Sequence, residues 1–207
     1  MKNIKPTKPE DFLGKTGIIA RGMFGKIPAL QLRQITDPQD RCWLLTGPPG
    51  TGKTSLADAF SEALAGHPLA IEKINGVRCD VETVRRWMDS ACYAPLIGKV
   101  NVKYVDEIEG ASRDACKGLR TYLQSLPTHT VFIATTNLPL KELPEQLGSR
   151  CKVSYFERIP AHDIAGWLVE KFNIAVDLAQ RFAAGAKGDV RAAKGDVLAY
   201  LEASAAL

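Results

Sequence analysis

The chain has 207 residues, 45% of them hydrophobic and 24% charged, with a formal net charge of +4. That length holds one α/β core plus a small appendage, and the balance of residues excludes the disordered and membrane classes. The charge permits binding to a polyanion but does not by itself argue for nucleic acid.

Residues 1–40 are punctuated by Pro6, Pro9, Gly14, Gly17, Gly22, Gly25, Pro28 and Pro38. They predict a largely irregular lead-in with one short helix near Ala29–Gln34. Cys42-Trp43-Leu44-Leu45-Thr46 then reads as a strand that runs into a glycine-rich loop. From Thr54 to Ala65, Leu56, Phe60, Ala63 and Leu64 share one helical face, closed by Gly66. Four more short strand-like runs follow at Leu69–Asn75, Val100–Val105, Thr130–Thr135 and Lys152–Phe156, separated by helical patterns over Val81–Cys92 and Ser112–Leu126. Strands alternating with helices predict an α/β fold, a five-stranded parallel sheet flanked by helices. After Pro160 only helices are expected, over Ala161–Phe172, Val176–Ala186 and Val190–Ala203. The chain therefore divides into a core over residues 1–159 and a small helical lid over 160–207.

The strongest chemical signal is Gly47-Pro48-Pro49-Gly50-Thr51-Gly52-Lys53-Thr54, followed by Ser55. It matches the phosphate-loop pattern G-x-x-x-x-G-K-[ST] between a strand and a helix, the context that the pattern requires. Its amides cradle a β-phosphate at a helix N-terminus. Lys53 is then expected to reach the β- and γ-phosphates and Thr54 to bind Mg²⁺. In Tyr104-Val105-Asp106-Glu107 two carboxylates end a strand, where ligand crevices form. Asp106 is expected to hold the magnesium through water and Glu107 to polarise the attacking water. No guanine-selecting N-K-x-D segment occurs, which favours ATP. The five cysteines, Cys42, Cys79, Cys92, Cys116 and Cys151, show no C-x-x-C pair and no histidine at zinc-ligand spacing. The N-terminus has no apolar signal segment, and no apolar run approaches the roughly 20 residues of a membrane span, so a cytoplasmic protein without membrane contact is expected.

These residues together resemble the AAA+ ATPases, and most of all the clamp-loader subunits of the replication factor C small-subunit and bacterial DnaX type. Thr135-Thr136-Asn137 resembles the sensor 1 segment, which implies that Asn137 helps position the lytic water. Ser149-Arg150-Cys151 resembles the S-R-C box, which implies that Arg150 acts as a finger in a neighbouring subunit's ATP site. Gly188-Asp189-Val190-Arg191 resembles sensor 2, which implies that Arg191 comes from the lid onto the phosphates. Lys8-Pro9 with Asp11-Phe12-Leu13-Gly14 is similar to the segment that closes over adenine, and Asn75 to a switch residue that links DNA to Glu107. Each has a plain alternative: Asn137 as a strand-exit cap before Pro139, Arg150 as a surface arginine, Arg191 as a solvated charge, Asn75 as a structural turn residue.

The chain departs from the resemblance where it reaches Leu207 without a helical collar, lacks a zinc-binding cysteine cluster, and carries Gly110-Ala111 after the acidic pair. A reduced relative of mobile-element or phage type is the expectation. The resemblance implies an ATPase that works in a homo- or hetero-oligomer to load a sliding clamp or another replication factor onto DNA. The alternative is a helicase loader, or a DNA-repair or protein-remodelling ATPase that does not act on a clamp. Arg113, Lys117 and Arg120 recur at helical spacing, and Arg85-Arg86 lie on the preceding long helix; all five are candidate DNA-backbone contacts. The competing reading is a solvated face balanced by Asp89 and Asp114.

Overall fold

A computed structural model describes residues 5–205. Strand β1 (Cys42–Thr46) is buried at all five positions, as is the seven-residue strand over Thr130–Thr136. A strand covered on both faces has no solvated side to make polar, so each carries a continuous apolar stretch, Cys42–Leu45 and Val131–Ala134, flanked by buried threonines.

In chain order the elements are α1 (Gly14–Phe24), α2 (Ile27–Gln31), β1, α3 (Lys53–Ala65), β2 (Ile71–Asn75), α4 (Val81–Asp89), β3 (Asn101–Asp106), α5 (Arg113–Gln124), β4 (Thr130–Thr136), α6 (Glu145–Gly148), β5 (Lys152–Tyr155), α7 (Ala161–Phe172), α8 (Val176–Gly185) and α9 (Val190–Ala205). The strands form one sheet in the order β2-β3-β4-β1-β5, and every pairing is parallel. The α/β fold expected from the alternation of elements is the one observed.

Two cores sandwich the sheet. On one face Leu56, Phe60 and Leu64 of α3, with Ala20, Met23 and Leu30 of the N-terminal helices, pack on Trp43, Leu45, Val102, Tyr104 and Ile133. On the other, Trp87 of α4 and Leu119, Tyr122 and Leu123 of α5 pack on Leu44, Val105, Phe132 and Ala134. The helices that follow Pro160 have a core of their own, built on Ile164, Leu168, Ala179, Ala183, Ala193 and Val197. No described helix is long and apolar enough to cross a membrane.

The lead-in differs from expectation. An eleven-residue helix occupies Gly14–Phe24, where the glycines predicted irregular chain, and the next helix covers Ile27–Gln31, earlier than Ala29–Gln34. Thr16, Ala20 and Met23 fall on one face and are buried, Ala20 and Met23 in the core built around α3 and Thr16 against the loop at Thr51. That burial offsets the roughly 1 kcal/mol that each interior glycine costs a helix. Strand β2 starts two residues late because Pro68–Ala70 form a 3₁₀ turn, in which the His67 ring accepts from the Leu69 amide at 3.2 Å.

Candidate nucleotide site

The parallel arrangement sends the C-terminal ends of β1, β3 and β4 to one edge of the sheet, and the loop after β1 wraps there before α3 begins. Gly50 has φ +74, and a Cβ on it would fall 2.0 Å from Asp189 Cγ. Only glycine therefore allows the turn before α9 to pack on the loop, and the Val190 amide completes that contact by donating to Gly50 O at 3.1 Å. From the other side the Thr16 hydroxyl of α1 donates to Thr51 O at 3.0 Å. Core, lead-in and C-terminal helices together enclose a cavity of about 550 Å³.

Pro49 through Ser55 line this cavity, with Glu107, Thr135, Asn137 and Arg191. The Lys53 ammonium turns back onto its own loop, donating to Gly47 O and Pro48 O at 2.7 Å each and to Asn137 Oδ1 at 3.0 Å. Burial lowers its pKa, opposed by the carboxylates of Glu109 and Asp106. The apolar wall is formed by Phe12, Leu13, Ile159, Trp167 and Val190, with Lys171 and Lys194 beside it.

Asp106 ends β3 at the centre of a hydroxyl cluster. Its Oδ1 accepts from Thr54 at 3.1 Å, from Tyr104 at 2.9 Å and from Thr135 at 2.5 Å. Burial and the adjacent Asp106 carboxylate drive the Tyr104 phenol upward in pKa, so it stays a donor. Thr135 Oγ1 also accepts from the Glu107 amide at 3.0 Å. One hydroxyl thus joins the ends of β3 and β4 and fixes both carboxylate-bearing residues.

Glu107 is in the left-handed region, φ 57 and ψ 58. Its Oε2 accepts from Asn75 Nδ2 at 3.2 Å, and Asn75 Oδ1 caps its own turn by accepting from the Val77 amide at 3.1 Å. A Cβ on Gly76 would lie 1.9 Å from Glu107 O, and one on Gly110 would lie 2.9 Å from Val77 N. The unusual Gly110 therefore has a local reason: two turns pack backbone to backbone beneath Glu107. Glu109 accepts from the Asn137 amide at 3.1 Å, while its Oε2 is buried without a partner.

The donors suit a hard cation: a threonine hydroxyl and an aspartate carboxylate are oxygen ligands, and magnesium takes few protein ligands beside phosphate oxygens and water. Among the described residues no group of three or more His, Cys, Asp or Glu is able to hold a metal. A cation held at Thr54 and Asp106 would need phosphate oxygens and water as its other ligands.

Of the candidates from the sequence, Lys53, Thr54, Glu107, Asn137 and Arg191 line the cavity, and Asp106 sits behind it against Thr54 and Thr135. Arg150 does not line it; it follows α6, with its amide donating to Leu147 O at 3.2 Å and its Nε buried without a partner. Sequence reasoning missed Thr16, Tyr104, Thr135 as a bridge, and Glu109. A hydroxyl beside Asp106 in space carries no local signature, whereas Glu109, two residues beyond Glu107, was within reach of inspection.

The basic positions lie on α4 and α5, which pack on each other. Arg85, Arg113 and Arg120 are exposed. Arg86 is paired with Glu72 at 2.6 Å and Lys117 with Asp114 at 2.8 Å, so Glu72, not Asp89, balances Arg86. The loop between α4 and β3 presents Tyr93, Leu96 and Ile97 to solvent, with Leu96 99% exposed.

Comparison with known proteins gives a consistent neighbourhood. The profile of the ATPase family associated with various cellular activities (AAA) matches residues 43–158. The chain is 27% identical over 198 residues to the DNA polymerase III subunit tau of Bacillus subtilis (strain 168), covering 85% of this chain and 33% of that protein. It is 31% identical over 142 residues to the replication factor C small subunit of Thermofilum pendens, covering 65% and 43% respectively. It is 28% identical over 161 residues to the replication-associated recombination protein A of Escherichia coli (strain K12), covering 78% and 34%. The chain thus spans between a third and less than half of the length of these relatives. Among solved structures, a RuvB protein of Thermotoga maritima superposes with a TM-score of 0.70 at 18% identity, over 92% of this chain and 62% of that one, a likeness of fold.

Proposed function

The chain belongs to the AAA family of ATPases, and from that premise we propose that it is the ATP-driven switch of a replication assembly that loads a sliding clamp onto DNA. The observation that carries the nucleotide part is the convergence of Lys53, Thr54, Glu107, Asn137 and Arg191 at one cavity, with Asp106 behind Thr54 at 3.1 Å. The helices that follow Pro160 serve as the lid of that cavity.

In this reading the Gly47–Ser55 loop amides and Lys53 hold the triphosphate, for which Lys53 gives up its contacts to Gly47, Pro48 and Asn137. Thr54 and Asp106 hold magnesium, which neutralises charge on the phosphate oxygens when bound. Glu107 orients the attacking water, and Asn137, released from Lys53, helps to position it. Phe12, Leu13, Trp167 and Val190 stack around the base. Arg191 reaches the phosphates from the lid, and Arg150, outside its own cavity, serves a neighbouring subunit.

Two surface features support the partner class. Arg85, Arg113 and Arg120, with Arg86 and Lys117 once released from their acids, offer a basic face to a nucleic-acid backbone. The exposed Tyr93, Leu96 and Ile97 loop fits a protein partner, because apolar side chains grouped on a surface mark interaction sites. Work at a clamp on DNA places the protein in the cytoplasm.

The test is ATP affinity and turnover with and without primed DNA and a clamp. Lys53→Ala should lose nucleotide binding, and Glu107→Gln should retain binding and lose hydrolysis, since Glu107 acts only on the water. Neutralising Arg85, Arg113 and Lys117 should flatten the salt dependence of DNA affinity by about 0.9 in slope per lost phosphate contact. Wild-type hydrolysis by Glu107→Gln overturns the assigned role of Glu107. Turnover indifferent to DNA and clamp favours a protein-remodelling ATPase instead.

A further inference from the structure

Lys73 is on β2, the edge strand of the sheet, and is paired in register with Tyr104 on β3. Neighbouring residues of a parallel pair project to the same face, so the lysine follows Tyr104 towards the acidic end of β3. Its Nζ lies 4.7 Å above the Tyr104 ring centre. It is 2.6 Å from Asp58 Oδ1 and 3.9 Å from Asp106 Oδ2. Asp58 is one turn beyond Thr54 on α3 and therefore on the same side of that helix.

Asp106 divides its two oxygens accordingly. Oδ1 is committed to Thr54, Tyr104 and Thr135, and Oδ2 faces the ammonium. A cation held by Thr54 and Asp106 thus enters beside a resident positive charge, at a separation where like charges repel measurably even with partial solvent screening. The lysine side chain is 39% exposed, which weakens the repulsion without removing it.

We infer that Lys73 is the internal counter-ion of the cation site and sets how tightly the divalent ion is held, with Asp58 as the anchor that keeps its ammonium from closing onto Asp106. The inference rests on the reading of Thr54 and Asp106 as the cation ligands. Lys73 is a positioning residue: it does not line the cavity, and it acts through Asp106. Removing its charge leaves Asp106 Oδ2 without the neighbouring ammonium and tightens divalent binding, while Asp58 keeps Lys5 at 3.9 Å from its Oδ2. Removing Asp58 frees the ammonium for Asp106 and loosens it.

The experiment titrates Mn²⁺ into the full chain with a non-hydrolysable ATP analogue, reading free Mn²⁺ by electron paramagnetic resonance and the fold by thermal melting. Lys73→Met should lower the Mn²⁺ Kd about tenfold, Lys73→Arg should stay within about twofold of wild type because it keeps the charge, and Asp58→Asn should raise the Kd. A merely structural Lys73–Asp58 pair would lower the melting temperature in both neutralised variants and leave the Mn²⁺ Kd unmoved. An unchanged or weaker affinity in a folded Lys73→Met overturns the inference, as does an unchanged affinity in Asp58→Asn, the variant that decides if Lys73→Met fails to fold. If the wild type takes up no Mn²⁺ with the analogue bound, the cation reading of Thr54 and Asp106 falls and this inference with it. If the wild type binds normally and only the variants fail to differ, the failure belongs to Lys73 alone.

Discussion

Gly76→Ala should leave nucleotide binding intact and strongly reduce hydrolysis, although the residue does not line the cavity. A Cβ at this position falls 1.9 Å from Glu107 O, 2.8 Å from Glu107 C and 3.2 Å from Gly110 N. All three are backbone atoms, so no rotamer relieves the overlap. Restoring even a 3.0 Å contact moves the Glu107 carbonyl by 3.0 − 1.9 = 1.1 Å. Glu107 is poorly placed to absorb that shift. Its left-handed backbone already costs about 1 kcal/mol, its amide is held by Thr135 at 3.0 Å, and its carboxylate is held by Asn75 at 3.2 Å. Misplacing a catalytic group by about 1 Å costs on the order of a hundredfold in rate, and overpacking costs about 1–3 kcal/mol of stability. Lys53 and the phosphate loop are on other elements, so nucleotide affinity should change by less than about threefold. The assay pairs steady-state ATP turnover with equilibrium binding of a fluorescent nucleotide, on protein whose melt shows a single cooperative transition. Wild-type turnover in the folded variant would refute the idea that the Gly76–Glu107 contact sets the carboxylate.

Two further outcomes follow from the same geometry. Thr135→Val keeps the side-chain shape but removes the hydroxyl given to Asp106 and the oxygen that accepts from Glu107; turnover should fall about ten- to a hundredfold with stability down by roughly 1–3 kcal/mol, while Thr135→Ser stays near wild type, as measured by turnover and thermal melts. Arg150→Ala should bind ATP normally and lose on the order of 10³ in turnover, and mixing it with Lys53→Ala protein should restore part of the activity; mixtures that co-assemble yet stay inactive would exclude a finger acting across subunits.

The phosphate loop, its strand and its helix were legible in residues 42–65 because each signal there is local: glycines where the chain must turn tightly, a lysine and a threonine at the helix start, apolar residues at helical spacing. Asp106 and Glu107 were legible for the same reason, as carboxylates at the end of a short apolar run. The first helix was not, since glycines that read as breakers were outweighed by burial of Thr16, Ala20 and Met23. The strand order was not legible either, and it decides the site. Only because β3 lies between β2 and β4 does Asp106 meet the Thr135 hydroxyl and the Lys73 ammonium, and Glu107 meet Asn75. Periodicity and turn chemistry act over a few residues, but these contacts join positions about thirty apart, and closing them depends on how the strands pair, which no short stretch of chain encodes.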